Sequence, residues 1–201
     1  MKNSTTIILL LALLALTFNG CEEPIDYRYA DLPRPVECEG VDLVLLHEAL
    51  YSFQQDIGNA YNFRNFDPAE PLFVINGYRT FVHKGGLGEA NYAEIASDHT
   101  WKIFEKLKDQ PIWSKSEGYS HLDYKSPFVQ CVLSNIGNRD IQETMASLNE
   151  INSMSPKLMA EPLRRNINDV TQDPYMAMYV ALDFFYQYLW DVEPIKLSTD
   201  E

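Results

Sequence analysis

The chain of 201 residues is poor in basic side chains, with 16 Lys and Arg against 29 Asp and Glu, and its net charge is −13 at pH 7. Phosphate backbones and anionic lipid surfaces repel such an acidic body, which excludes a nucleic-acid-binding protein. Histidine is also scarce, and none of the four histidines has the spacing of a zinc motif. The chain contains neither a Gly-x-Ser-x-Gly elbow nor a phosphate-binding loop. We therefore expect no cofactor and no metal, and no motif indicates a catalytic class.

The composition excludes a disordered or fibrous chain, because 46% of the residues are hydrophobic and 12% are aromatic. A chain of this length corresponds to one domain, with room for little besides a targeting segment. It is long enough to bury roughly 70% of its unfolded surface in a core.

The N-terminus combines a basic residue, an apolar run and a small residue before a cysteine. Lys2 precedes the unbroken apolar run Ile7–Leu16, and Gly20 stands directly before Cys21. Ten helical residues span about 15 Å, half of a hydrocarbon core of about 30 Å, so this run is too short to cross a membrane. Its length and basic flank are those of a secretory signal peptide.

Residues 1–21 resemble the signal peptide and lipobox of bacterial lipoproteins. The resemblance implies that residues 1–20 are removed and that Cys21 is acylated on its sulfur, which anchors the chain in a membrane. We accordingly expect a lipid-anchored protein of the cell envelope, in the outer membrane, on its periplasmic face or at the cell surface. The alternative is an ordinary signal peptide that leaves Cys21 as a bystander thiol.

Residues 21–40 have the composition of a tether. From Glu22 onward they contain three prolines and six acids against two arginines, without sustained apolar periodicity. Such a segment, fully extended, could hold a folded body up to about 60 Å from the bilayer. A helical domain is expected at residues 41–192, followed by an acidic C-terminal tail at 193–201.

The pattern of the domain itself is helical. Apolar residues from Val41 onward recur at alternating intervals of three and four, which predicts a helix that ends near Gly58. Three further helices are predicted where a capping side chain precedes proline, at Ser126-Pro127, Ser155-Pro156 and Asp173-Pro174. Asn138 and Asp98 are predicted to cap two more. The expected fold class is all-α (mainly α), a single-domain antiparallel bundle-like array of about five to seven helices.

Residues 72–82 fit two patterns. Asn76 and Gly77 between apolar runs are the signal of a two-residue β-hairpin turn. The same apolar residues also fit one face of a helix, and Pro71 is suited to the first helical turn. Because no partner strand is evident and an isolated hairpin is marginal, we predict a helix, with a small hairpin as the alternative. The glycine-rich run at 83–89 is predicted to be a flexible surface connection.

The segment from Tyr175 to Trp190 is apolar on nearly every face, which predicts a helix with neighbours on several sides. Asp183 is its only charge, and a buried carboxylate without partners costs several kcal/mol. We expect Asp183 either to be satisfied in the core, with Arg164 and Arg165 as the nearest basic candidates, or to line a polar pocket as a ligand-binding or acid–base group.

Three further residues are weak pocket candidates. His121 and Asp123 lie in a stretch without a regular pattern, where both side chains can reach one site. His47 lies on the first predicted helix. Solvated or capping roles fit all three better than a ligand-binding role.

Two cysteines remain once Cys21 is lipidated. Outside the cytoplasm, Cys38 and Cys131 could form a disulfide. Closing a loop of about 93 residues would contribute roughly 4–5 kcal/mol on the chain-entropy model. A buried free thiol at Cys131 is the alternative.

Three classes of function stay open. We favour a lipid-anchored binding or interaction module, whose partner is an envelope protein or a glycan. The tyrosine pairs Tyr27/Tyr29 and Tyr119/Tyr124 could stack on a sugar. An enzyme acting on envelope polymers would need a cleft in which acids or His121 converge with perturbed pKa values. A structural subunit of an envelope complex would lack a pocket.

Overall fold

The computed structural model describes residues 25–116 and 119–195, so the predicted signal peptide and the predicted lipidation site Cys21 lie outside the described residues. Within these ranges the chain is mainly helical, which confirms the predicted class. The helices are α1 Leu43–Ala60, α2 Pro71–Gly86, α3 Tyr92–Ile95, α4 Asp98–Leu107, α5 Pro127–Ser134, α6 Arg139–Glu150, α7 Pro156–Arg165, α8 Ile167–Gln172 and α9 Pro174–Val180. A π-helical segment, Ala181–Phe185, and a 3₁₀ segment, Tyr186–Asp191, continue α9, and the strands are β1 Trp113–Ser116 and β2 Tyr119–Leu122.

The helix starts follow from their capping residues. Four of the predicted caps accept a hydrogen bond from a backbone N–H of the first helical turn. They are Ser126, Asn138, Ser155 and Asp173. The cap of α4 differs from the prediction: Ser97 accepts the bond from the N–H of Thr100, and Asp98 is the first residue inside the helix.

The ambiguous segment 72–82 lies within α2, so the hairpin alternative is wrong. Pro71 occupies the first helical turn, and the glycine inside the helix has a packing reason. A Cβ on Gly77 would lie 2.9 Å from the backbone nitrogen of Gly58 in α1, closer than packed atoms approach. The two glycines let α1 and α2 come together with their backbones in near contact. Gly58 therefore lies inside α1 and does not end it.

The glycine-rich run at 83–89 also differs from the prediction, because its first four residues form the last turn of α2. Gly85 and Gly86 are buried there. A Cβ on Gly86 would lie 2.4 Å from the Cβ of Ala160 in α7, so the missing side chain makes room for a neighbouring helix. Gly88, at φ +71°, adopts the left-handed conformation that commonly follows a helix.

The two-stranded sheet of the described chain lies where no regular structure is predicted. Its strands pair antiparallel, with Trp113 opposite Leu122. Just beyond the pairing, the backbone N–H of Asp123 donates to the carbonyl of Ile112 at 2.7 Å. The expectation of an irregular stretch at His121 is therefore wrong, since this residue lies in β2.

The last helical segment is buried at the centre of the domain, as its apolar character on every side predicts. It is not one uniform helix, because α9 gives way to the π-helical segment Ala181–Phe185. The ring of Phe185 packs between Phe53 of α1, at a centroid distance of 5.1 Å, and Phe81 of α2, at 5.8 Å. Single π-helical turns inside helices are rare and occur frequently at functional sites.

Residues 25–40, which we call the N-terminal strap, pack against the body. The backbone N–H groups of Arg28 and Tyr29 donate to the carboxylate of Glu48 in α1, at 2.7 and 3.1 Å. Val36 near the end of the strap is buried. The prediction of an extended tether is therefore wrong for the strap. The polar composition of the strap gave no sign of this packing, because backbone groups rather than apolar side chains make many of its contacts.

A disulfide joins Cys38 at the end of the strap to Cys131 in α5. The two Cα atoms are 5.9 Å apart, and the two residues are separated by 93 positions in the sequence. The disulfide fastens the strap to the helical body, and the free-thiol alternative for Cys131 is wrong.

Candidate functional site

A cavity of about 580 Å³ opens between the β1–β2 hairpin, the connection from α6 to α7 and the 3₁₀ segment. Small-molecule sites in proteins have volumes of about 300–1,000 Å³, so the cavity has a suitable size. All three elements contribute polar groups to its wall. The main ones are His121, Asp123, Tyr124, Asn149, Gln187 and Asp191.

Two of the four candidate residues line the cavity, and a third lies behind its wall. His121 and Asp123 line its wall, the former exposed and the latter half-buried. Asp183 does not line the cavity but lies directly behind Tyr124, which does. His47 lies elsewhere, on α1 beside the strap.

Asp183 is fully buried on the π-helical segment. The hydroxyl of Tyr124 donates a hydrogen bond to its Oδ1 at 2.7 Å. The side-chain amide of Gln187 donates to its backbone carbonyl. Within the described residues, no hydrogen bond reaches its Oδ2 or the buried hydroxyl of Tyr179 nearby. The carboxyl is therefore connected to the cavity through a single phenol, that of Tyr124.

Burial raises the pKa of Asp183 to about 7, although the hydrogen bond from Tyr124 acts to lower it. This carboxyl therefore exchanges its proton near neutral pH. Burial, together with the charge of Asp183, raises the pKa of Tyr124 far above its usual value. The Tyr124 phenol consequently stays protonated and serves as a hydrogen-bond donor.

The basic partners predicted for Asp183 are bound elsewhere. Arg164 and Arg165 contact Glu161 on the exposed side of α7, with their Nε atoms 2.6 and 2.8 Å from its carboxylate oxygens. These hydrogen bonds lower the pKa of Glu161 to about 2. Asp183 is thus satisfied in part by a hydroxyl group and not by a basic side chain.

Some polar side chains of the cavity already hold the fold together. Asp123 Oδ1 accepts a hydrogen bond from the backbone N–H of Lys125 at 2.9 Å. Gln187 Oε1 accepts one from the backbone N–H of Leu122 at 3.2 Å. A second set of side chains in the wall has no hydrogen-bond partner among the described residues. These are Asn149, Asn152, Tyr188 and Asp191.

A second polar cluster lies between α1 and α4. Glu48 is fully buried, and its Oε1 lies 2.7 Å from Nε2 of His99. The carboxylate of Asp56 accepts hydrogen bonds from the hydroxyl of Thr100 at 2.5 Å and from the N–H of Ser97 at 2.9 Å. Burial raises the pKa of Asp56. The two carboxylates have protein partners, so this cluster stabilises the fold and offers them no vacant ligand position.

The side chain of His47 lies between the strap and α1 and not in the cavity. Its Nε2 lies 2.6 Å from the carbonyl oxygen of Tyr29, and its ring lies 5.0 Å from that of Tyr51. These contacts hold the strap on α1, so the role that the structure supports for His47 is structural.

No protein-family model, curated protein or solved structure matches the chain. The described residues contain no group of three His, Cys, Asp or Glu side chains placed to hold a metal ion. In the same part of the chain, no helix is both long and apolar enough to cross a membrane.

Sequence reasoning misses most of the cavity wall. In the sequence, Gln187 and Tyr188 belong to an apolar helical pattern, and Asn149 lies at the polar end of another helix, so none of the three stands out as a site residue. The one sequence feature that points to the wall is the tyrosine pair Tyr119/Tyr124, which is proposed to stack on a sugar, because Tyr124 lines the cavity. Tyr119 begins β2, and the side chain of Tyr119 lies outside the described part.

Proposed function

We propose that this protein is a lipid-anchored binding module of the cell envelope, with a small polar ligand held in the cavity in front of Asp183. The cavity of about 580 Å³ carries the proposal, because four polar side chains in its wall lack hydrogen-bond partners within the described protein. The resemblance of residues 1–21 to lipoprotein signals supports the anchor at Cys21.

The chemistry of the wall fits a ligand rich in hydroxyl groups, such as a sugar unit of an envelope glycan. The amides of Asn149 and Asn152 can each donate and accept hydrogen bonds, and so can a sugar hydroxyl. The ring of Tyr188 stacks on Tyr92, with centroids 4.8 Å apart and planes 12° apart, which gives the wall a supported aromatic group.

An enzyme acting on envelope polymers is the second candidate. It is supported by the carboxyl of Asp183, whose pKa is about 7 and which contacts the cavity-lining Tyr124. Binding is the better supported function because Asp183 does not line the wall and Tyr124 retains its proton. A purely structural subunit is expected to lack a pocket, so the cavity argues against that role.

A pair of neighbouring substitutions tests the binding site. Asn149→Trp places a large ring at a cavity residue, whereas Ser147→Trp places the same ring about 200° around the helix, at an exposed position outside the cavity wall. The probes are soluble peptidoglycan disaccharide-peptides and lipopolysaccharide core oligosaccharides, with affinity measured by calorimetry. We expect the wild type and Ser147→Trp to bind one probe and Asn149→Trp to lose it.

The outcomes separate the candidate functions, provided that circular dichroism shows both variants folded. Equal affinity in the two variants, or no binding of either probe by the wild type, would contradict a sugar site in this cavity. Turnover of a bound probe that disappears in Asp183→Asn would favour the enzyme. The anchor is tested separately, since Cys21→Ala should release a soluble or unprocessed form from the membrane fraction.

A further inference from the structure

The body of the protein begins at the strap. Glu48 accepts the backbone N–H groups of Arg28 and Tyr29, and the hydroxyl of Tyr51 donates to the carbonyl of Pro33 at 2.9 Å. These contacts, together with the disulfide at the end of the strap, fix it to α1 and α5. The strap therefore contributes no free length between the body and a lipid anchor.

The covalent distance from the anchor to the strap is short. Only three residues separate Cys21 from Ile25. Even fully extended, this connection brings the two Cα atoms no more than about 14 Å apart. That is far below the roughly 60 Å available to an extended segment of residues 22–40. An acylated Cys21 therefore holds Ile25 close to the headgroup layer.

The surface around Ile25 has a composition suited to that position. Ile25, which is half-buried, and Tyr27 share a shallow depression with Lys106 and the two acids Asp42 and Asp109, so both signs of charge are present there. Tyr27 is 39% exposed, and Val44, at the start of α1, is 47% exposed. Tyrosine and apolar side chains are favoured at a membrane–water interface.

We infer that the surface around Ile25 and Tyr27, beside the start of α1, rests on the headgroups of the bilayer that holds the anchor at Cys21, so that the domain stands directly on the membrane. The inference rests on the lipid anchor of the proposed function. Because the chain carries a net charge of −13, the surface it contacts is zwitterionic and not anionic.

The test uses the full lipidated chain in phosphatidylcholine vesicles that contain a lipid-borne quencher. One fluorophore is attached through Val44→Cys and, in a second sample, through Phe63→Cys. Helix α1 has 18 residues and is about 27 Å long, and Phe63, which is 78% exposed, follows its far end. We expect quenching at position 44 and none at position 63.

A flexible insertion provides the control. Fifteen Gly and Ser residues between Pro24 and Ile25 add a mean reach of about 20 Å, which should reduce the quenching at position 44. Vesicle flotation and the mass of the lipid on Cys21 are measured in parallel. Lipidated protein that floats but shows equal quenching at both positions would contradict the inferred membrane-facing surface while leaving the lipid anchor intact. Protein that carries no lipid and does not float would refute the anchor and, with it, the inference.

Discussion

The substitution Asp183→Asn removes a buried carboxyl while preserving its shape. The hydroxyl of Tyr124, now 2.7 Å from Oδ1, can still donate to the amide oxygen. The new amide nitrogen is a donor beside the hydroxyl of Tyr179, which has no hydrogen-bond partner in the described structure. The main physical change is therefore that position 183 no longer titrates.

The magnitude follows from the raised pKa. The pKa of Asp183 is about 7 in the folded protein against a reference value of 3.8, so the folded state binds the proton more tightly than the unfolded state. The resulting stabilisation is complete below the unfolded pKa and is lost as the pH rises through the folded pKa. Between pH 5 and pH 8 the wild type should lose about 3 kcal/mol from this group.

The assay is urea unfolding of wild type and Asp183→Asn at pH 5 and pH 8, followed by circular dichroism with the disulfide intact. We expect the variant to gain about 3 kcal/mol relative to the wild type between the two pH values. The difference between the two proteins is the relevant quantity, because Asp56 also has a raised pKa and contributes to the pH dependence of both.

The control is Glu89→Gln, which neutralises an exposed acid whose side chain makes no hydrogen bond or ion pair in the described structure. Its stability difference from the wild type should remain within about 0.5 kcal/mol at both pH values. If the difference for Asp183→Asn also stays constant between pH 5 and pH 8, the carboxyl does not titrate in this range and the reasoning is wrong.

Two further experiments test the disulfide and the packing of α1 against α2. Replacing both Cys38 and Cys131 with alanine should lower the free energy of unfolding by about 4–5 kcal/mol, because the disulfide closes a loop of 93 positions. Urea unfolding measures this loss. A loss below about 1 kcal/mol would contradict the chain-entropy reasoning. Gly77→Ala should cost about 1–3 kcal/mol, because its Cβ meets the backbone of α1. Thr80→Ala in the same helix is the control, and equal effects of the two would show that α1 and α2 do not approach closely.

Local sequence chemistry determined where most of the predicted helices begin. A cap acts on backbone groups within three residues of itself, so Ser126, Asn138, Ser155 and Asp173 carry all the information needed for their helix starts. The central position of the last segment could also be predicted, because a helix that is apolar on every side must be covered on every side.

The meaning of the glycines depended on tertiary structure. Asn76 and Gly77 have the local signature of a hairpin turn, and the run at 83–89 has that of a loop. Gly77 faces the backbone of Gly58, and Gly86 faces Ala160, so each glycine serves a close contact between helices. The sequence pattern is the same for a turn and for a close contact, and only the neighbouring helix distinguishes them.

The candidate site likewise divides into a local and a tertiary part. His121 and Asp123 are two positions apart, so the sequence alone could place them in one site. Tyr124 and Asp183 are 59 positions apart, and Glu48 and His99 are 51 apart. Such pairs depend on which surfaces pack together, and hydrophobic periodicity specifies that a face is buried without specifying its partner. Only the tertiary structure could therefore connect Asp183 to the cavity through a tyrosine and fasten the strap to the first helix.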